Sequence, residues 1–202
     1  MDKTISRNFF NERAEHWDDT VRNNDPVKLQ RMAERLHISQ DDWILDVGTG
    51  TGVFIPYLAK KINGNGRILS LDYAINMLIQ AIRKQPPNGR LDYVCAEIET
   101  LRLTGQTFDV VNCYSTFPHF HDKPAALGNL HHLLRLGGRL YICHTASKET
   151  INNIHSGIPD FQDHLIPPDE EMRTLLSQTG FGEIEIENRA ESYLVKAKKI
   201  QP

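Results

Sequence analysis

Residues Ile44-Leu45-Asp46-Val47-Gly48-Thr49-Gly50-Thr51-Gly52 decide the fold. A run of strand character enters a turn with glycine at every second position, and an apolar helical pattern follows. Glycine at a strand-to-helix turn lets the backbone approach a ligand closely and use the free N–H groups of a helix N-terminus. The same turn also serves plain helix–strand packing, so the spacing has to discriminate. A dinucleotide fingerprint places its third glycine three positions after the second. Here that position is Val53, and the third glycine falls at Gly52. Asp46, just before the turn, suits a ligand ammonium group held through water or backbone better than a pyrophosphate. With Thr49 between its first two glycines, the loop is expected to hold a zwitterionic nucleoside rather than phosphates.

Beyond the loop, short β-rich runs at 43–47, 67–71, 91–95, 108–113 and 138–144 alternate with helical patterns at 52–62, 74–85 and 123–136. This alternation predicts an α/β chain with a parallel sheet. Asn63-Gly64-Asn65-Gly66, Pro86-Pro87-Asn88-Gly89 and Leu136-Gly137-Gly138 mark the stops. Residues 146–168 read as irregular. A helix at 169–179 follows Pro167-Pro168, its Asp169-Glu170-Glu171 complementing the helix dipole, and strands at 183–187 and 192–198 suggest a closing antiparallel hairpin. Upstream, two helices are expected. Phe9, Phe10, Arg13, Ala14 and Trp17 share one helical face, and Val27, Leu29, Met32, Ala33 and Leu36 share another after Pro26, with the break at Asn23-Asn24-Asp25.

With 202 residues, 40% of them hydrophobic, the chain can build one substantial core but not two comfortable domains. A net charge of -3 gives no basic field for a phosphate backbone, so no nucleic-acid partner is expected. No apolar run reaches the length of a membrane span and the first ten residues carry no apolar signal region, which points to the cytoplasm. Cys95, Cys113 and Cys143 are odd in number and lie in strand-like segments, so they are expected to be reduced, buried small hydrophobes.

Asp72 ends the second strand, where a carboxylate can accept both hydroxyl hydrogens of a ribose. It would also cap the following helix, and the two roles are compatible because capping needs one oxygen. Tyr73 and Met77 then fall where they pack on ribose and adenine faces. Glu97 is placed to meet an adenine edge with Ile98 beside it, and would serve equally as a solvated surface acid.

Taken together, Asp46-x-Gly48-x-Gly50-x-Gly52, Asp72, Ala96-Glu97-Ile98-Glu99-x-Leu101, Phe108-Asp109-Val110-Val111 and Leu133-Leu134-Arg135-Leu136-Gly137-Gly138-Arg139-Leu140 resemble, in order and spacing, the class I S-adenosylmethionine-dependent methyltransferases. The resemblance is strongest to their small-molecule, methyltransferase type 11-like branch, which includes ubiquinone and menaquinone C-methyltransferases. It extends over nearly the whole chain, from Phe9-Phe10-Asn11-Glu12-Arg13-Ala14-Glu15-x-Trp17-Asp18 to the closing strands. It implies a three-layer, Rossmann-like seven-stranded sheet in the order 3-2-1-4-5-7-6 with the last strand antiparallel. Residues 1–40 would form an N-terminal helical cap and 41–202 the core of a single methyltransferase domain.

It further implies S-adenosylmethionine as cofactor, with Gly48 and Gly50 along its methionine part, Asp72 on its ribose, Glu97 and Ile98 on its adenine, and Cys113 and Tyr114 facing the sulfonium. Two features depart from the family. Its acid after the third strand is more often Asp in Gly-Asp-Ala, and the segment Ser115-Thr116-Phe117-Pro118-His119-Phe120-His121 lacks the Asn-Pro-Pro-Tyr of the branch that methylates amino groups and nucleic acids.

The implied reaction is in-line displacement of the methyl group onto a small-molecule acceptor, which calls for alignment, exclusion of water and sometimes removal of a proton. His119, His144, His155 and His164 follow strands or lie in 146–168, above the strand ends where acceptors bind. Three readings suit them: a general base, with His119 and His144 foremost, ligation of a divalent metal by two or three of them, or ordinary polarity of a pocket lining. His121, His131 and His132 read as solvated or capping residues. Three other readings stand beside this one. A methyltransferase-like module could bind the nucleoside without catalysis, a nicotinamide-dependent oxidoreductase shares the strand–glycine–helix–acid logic, with Val53 against it, and a protein-modifying enzyme would need an exposed groove or docking surface that periodicity does not show. The acceptor, the atom methylated and the oligomeric state are not encoded in any motif.

Overall fold

The computed structural model describes residues 3–20 and 25–201. One seven-stranded sheet organises the chain, in the order β3-β2-β1-β4-β5-β7-β6. Its strands are β1 (Trp43–Val47), β2 (Arg67–Asp72), β3 (Leu91–Cys95), β4 (Phe108–Tyr114), β5 (Leu134–His144), β6 (Phe181–Arg189) and β7 (Ser192–Lys199). The first five run parallel, and β7 is antiparallel to both β5 and β6. The expected order and closing hairpin are therefore present. Strand order reverses between β1 and β4, which opens a crevice at their carboxyl ends.

Helices cover both faces. On one, Leu29 and Met32 of α3 (Pro26–Glu34) and Ile55 and Leu58 of α4 (Ile55–Ala59) pack on Ile44, Ile68 and Val110. On the other, Leu127 and Leu130 of α6 (Lys123–Leu133) and Met172 and Leu176 of α8 (Asp169–Gln178) pack on Leu45, Val111 and Leu140. Each such side chain, fully buried, contributes about 1.5–3 kcal/mol. The chain begins with α1 (Lys3–Arg13), a single 3-10 turn and the short α2 (Trp17–Thr20), which lie against α5 (Ile75–Lys84). Asp25 caps α3 by accepting from the N–H of Val27 at 2.8 Å, and Pro26 opens the helix, so a helix start stands where it was expected. Asn23 and Asn24, the rest of that expected break, lie outside the described residues.

Four expectations need correction. Residues 52–62 are not all helix: 52–54 turn, and α4 occupies only Ile55–Ala59, with Pro56 in its first turn. The helix expected at 123–136 ends at Leu133, because Leu134 is already extended and pairs with Phe108. A bulge carrying Gly137 at φ +78° separates this pair from the rest of the β4–β5 ladder. The open carbonyls there are capped by the buried Lys199, whose Nζ donates to the carbonyls of His131 at 2.9 Å and Leu134 at 3.0 Å. The supposedly irregular 146–168 contains α7 (Lys148–Ser156), capped by Ser147, whose Oγ accepts from the N–H of Thr150. Finally, Cys113 and Cys143 are buried free thiols, whereas Cys95, at the end of edge strand β3, is exposed.

Candidate active site

At the carboxyl end of β1 the glycine loop takes three left-handed conformations, at Gly48 (φ +65°), Gly50 (φ +56°) and Gly52 (φ +78°). The three glycines do different things. A Cβ on Gly48 would stand 2.0 Å from Oγ1 of Thr116, so this residue lets β1 and the end of β4 close together. One on Gly52 would press on Ala81 of α5 at 3.0 Å, so the third glycine serves helix packing. Beside Gly50 there is only open space, the interior of a cavity of about 790 Å³ that Gly48, Thr49 and Gly50 help to line.

Asp46 does not reach that cavity. It is buried beneath the loop, where its carboxylate accepts from Thr49 Oγ1 at 2.6 Å and Asn112 Nδ2 at 2.7 Å. Burial pushes its pKa up to about 6 against the pull of these two donors. Asp46 thus braces the loop across the β1–β4 boundary, and any hold on a ligand ammonium would run through water or the loop backbone, as expected of it. Asn112, which the sequence reading missed, is Asp46's partner in sheet register.

Asp72 does reach the cavity. One oxygen accepts from the N–H of Gly50 and the other from that of Ala74, each at 2.8 Å, so it both caps the turn into α5 and ties β2 to the glycine loop. Burial raises its pKa to about 6, and the N–H groups of Ala74 and Gly50 oppose the rise. Each carboxylate oxygen keeps acceptor capacity for a further donor. Tyr73 and Met77 also line the cavity, and Tyr73 exchanges a 2.8 Å hydrogen bond with Ser6 of α1.

A narrow annexe of about 40 Å³, bounded by Asp72, Tyr73, Glu97 and Ile98, adjoins this end. Glu97 accepts from Arg7 at 2.6 Å and pairs with Lys3 at 3.4 Å, so its carboxylate already anchors α1. Tyr114 lines the cavity, its ring stacked on Phe54 at 4.6 Å. Cys113 does not: β4 turns it into the core, by the alternation that sends its neighbour outward.

The far wall comes from the N-terminal helices and from residues 146–168. Phe9, Phe10 and Trp17 descend from the N-terminal helices, Ile151 and Ile154 from α7, and Ile158 and Phe161 from the loop after it. Their aromatic density was visible in the sequence, their destination was not. Among them stand His119, His144 and His155. His164 sits just behind, with its Nδ1 3.0 Å from Nδ1 of His119, one ring donating to the other. His144 is buried, and its Nε2 has no hydrogen-bond partner among the described residues.

Burial drives all four imidazoles toward the neutral form: His119 well below its ordinary value, His144 to about 3, His164 to about 4, and His155 in the same direction. The metal-ligand role expected of them is unsupported. Among the described residues no group of three or more His, Cys, Asp or Glu is arranged to hold a metal ion. His121 borders the annexe, and His131 packs its ring edgewise on Phe181, at the α6 end away from the site.

Residues 45–142 match a family described as a methyltransferase domain. The chain is 27% identical over 188 residues to an O-methyltransferase of Pyrenophora dematioidea, a match covering 84% of this chain and 67% of that protein. It is 26% identical over 161 residues to the ubiquinone/menaquinone biosynthesis C-methyltransferase of an Enterobacter species, covering 78% of this chain and 59% of that one. A SAM-dependent methyltransferase from Aquifex aeolicus superposes with a TM-score of 0.71 at 20% identity, covering 94% of this chain and 98% of its own, and so shares the fold.

Proposed function

We propose that the chain is a class I S-adenosylmethionine-dependent methyltransferase, a reading supported by the match of residues 45–142 to a methyltransferase domain, and that it transfers the methyl group of S-adenosylmethionine, a substrate consumed at each turnover, to a small-molecule acceptor by in-line displacement. One observation carries this reading. The open face of Gly50 and the free acceptor capacity of Asp72 meet at one end of a cavity whose other end is apolar and studded with neutral histidines. The residues fit the nucleoside. The Gly48–Gly50 backbone offers room for its amino-acid part, Asp72 accepts its ribose hydroxyls, and Tyr73, Met77, Glu97 and Ile98 flank the adenine side. Glu97, on the wall of the annexe, is held to α1 by its pairs with Arg7 and Lys3.

The bound methyl donor supplies a sulfonium-activated carbon. The protein aligns the acceptor, excludes water with its aromatic wall, and presents His119 and His144 to the acceptor. Thr49 and Asp46 hold the loop in shape, and Gly52 its seat on α5. Intact loop and carboxylate favour turnover over mere binding. No helix among the described residues is long and apolar enough to cross a membrane.

Asp72→Ala should weaken S-adenosylhomocysteine binding by about 1–3 kcal/mol through loss of charge-assisted hydrogen bonds. Because the ribose hydroxyls need the carboxylate as acceptor, wild-type affinity should also fall as pH drops through the Asp72 value of about 6. Isothermal titration of both proteins, at neutral and mildly acid pH, measures the two effects. Unchanged affinity in a folded Asp72→Ala variant removes Asp72 from the site.

A further inference from the structure

Resting on that reading, we propose that the acceptor is a neutral hydroxyarene whose proton is taken by His119, with His164 as the positioning residue behind it. The charge inventory of the cavity argues against charged acceptors. Besides Asp72 at the nucleoside end, its lining carboxylates and permanent cations among the described residues are Glu12 and Arg13. Both lie at the exposed rim, 3.7 Å from each other, with the Arg13 guanidinium over the ring of Phe9 at 3.9 Å. Deeper in, the wall is Phe9, Phe10, Trp17, Ile151, Ile158 and Phe161. Among the described residues, an ammonium acceptor would find no buried carboxylate there, and a carboxylate or phosphate no buried cation. Burying either charge unpaired costs several kcal/mol.

A flat, uncharged ring suits walls that already meet edge to face, as do Phe10 and His119 at 5.1 Å and His119 and Phe161 at 5.4 Å. His119 and the orphaned Nε2 of His144 are among the polar groups left for one hydroxyl, with Ser115, Thr116 and His155 also on the lining.

The His119–His164 contact supplies the proton chemistry. With Nδ1–H of His119 donating to Nδ1 of His164, Nε2 of His119 carries a bare lone pair on the cavity side. The acceptor's O–H proton passes to that nitrogen while an oxygen lone pair forms the new bond to the methyl carbon. The carbon–sulfur bond breaks with its electron pair going to sulfur, leaving S-adenosylhomocysteine, the methyl ether and an imidazolium on His119. One positive charge disappears from sulfur as one appears on the ring, so the dry cavity gains no net charge, and a histidine that is neutral when the site is empty can still accept the proton. His164, as hydrogen-bond acceptor, holds the ring in the required tautomer and steadies its cation.

The test uses the full chain with S-adenosylhomocysteine titrated first. Naphthol, its carboxylated derivative and its aminomethylated derivative are then titrated into the saturated protein, and methylation of each is followed with S-adenosylmethionine. Naphthol should bind and be methylated with kcat/KM about 100-fold above either charged derivative. Preference for a charged derivative, or no binding and no transfer with any neutral hydroxyarene while S-adenosylhomocysteine still binds, overturns the acceptor class. Failure of S-adenosylhomocysteine itself to bind overturns the methyltransferase reading instead.

For the relay, His164→Leu should lower kcat by roughly tenfold or more with KM little changed, as a lost hydrogen bond to a developing charge would. His164→Asn, whose Oδ1 can accept in place of Nδ1, should restore most of it. His164→Gln, whose carbonyl falls at the Nε2 position, should not, and it serves where the leucine variant fails to fold. Full activity in the leucine or glutamine variant, or parallel losses in kcat and naphthol affinity, removes His164 from this role.

Discussion

At the scale of single residues, the three glycines of one turn carry different physical duties, and substitution separates them. Gly50→Ala places its methyl in open space and costs about 1 kcal/mol for a left-handed backbone. Gly48→Ala adds to the same strain an overlap with Thr116, which has buried neighbours and cannot retreat, so it should cost about 3 kcal/mol. Urea denaturation of both variants measures the difference, and equal losses would mean that Thr116 moves freely. The residue pattern of the loop was legible because alternate glycines after a strand admit few backbone paths. The partners were not: Asp46 faces Asn112 only because β4 is β1's neighbour in space, 66 positions away in the chain. Asp46 consequently braces the loop, and Cys113 faces the core.

At the scale of elements, the β-strands and their order were readable because short β-branched runs alternate with helical ones. Helix α7 was not, since its Asn152 and Asn153 are poor helix formers and only two isoleucines mark its apolar side. It forms by virtue of its Ser147 cap and its place over the cavity, where Ile151 is buried and Asn152 holds both the carbonyl and the N–H of Ile166 at 2.9 Å. Together with α1 and α2 it makes a roof. That roof is fastened by the Lys3–Glu99 and Arg7–Glu97 pairs, both at 2.6 Å, by the 2.5 Å bond from Thr51 to Asp18, and by the ion pair of Asp18 with Lys84. A nucleoside that enters through this roof has to open these fastenings. With S-adenosylhomocysteine at about 100 times its Kd, openings that release it should become about 100-fold rarer, so amide exchange in α1 and α7 should slow by up to that factor. Mass-resolved hydrogen exchange reads this directly, and unchanged exchange in α1 would show that entry bypasses the roof.

At the scale of the whole molecule, the site leaves its mark on stability through protons. His144 and His164 are buried and held neutral down to about 3 and about 4, whereas in an unfolded chain they protonate near the ordinary value of about 6.5. Below that value the unfolded chain binds protons that the folded one refuses, so these residues make stability fall as pH drops through about 6.5. Asp46 and Asp72 work in the opposite sense. Raised to about 6 by burial, they take up protons in the folded state before an unfolded chain would, and add stability as pH falls from about 6 toward about 4. The two sets offset each other, so the wild-type profile alone is uninformative and the difference between variants carries the information. His144→Phe keeps the ring and removes the titration, and should shrink the loss of unfolding free energy between about pH 7.5 and about pH 5.5 by about 1.4 kcal/mol. Asp46→Asn should enlarge it by about 1 kcal/mol over the same interval, since only the folded carboxylate gains protons there. Denaturant titrations at the two pH values measure both. An unaltered pH dependence in His144→Phe would mean that His144 is already charged in the folded protein near pH 5.5, and a histidine that charges there is not sealed in the dry, neutral pocket that a hydroxyarene requires.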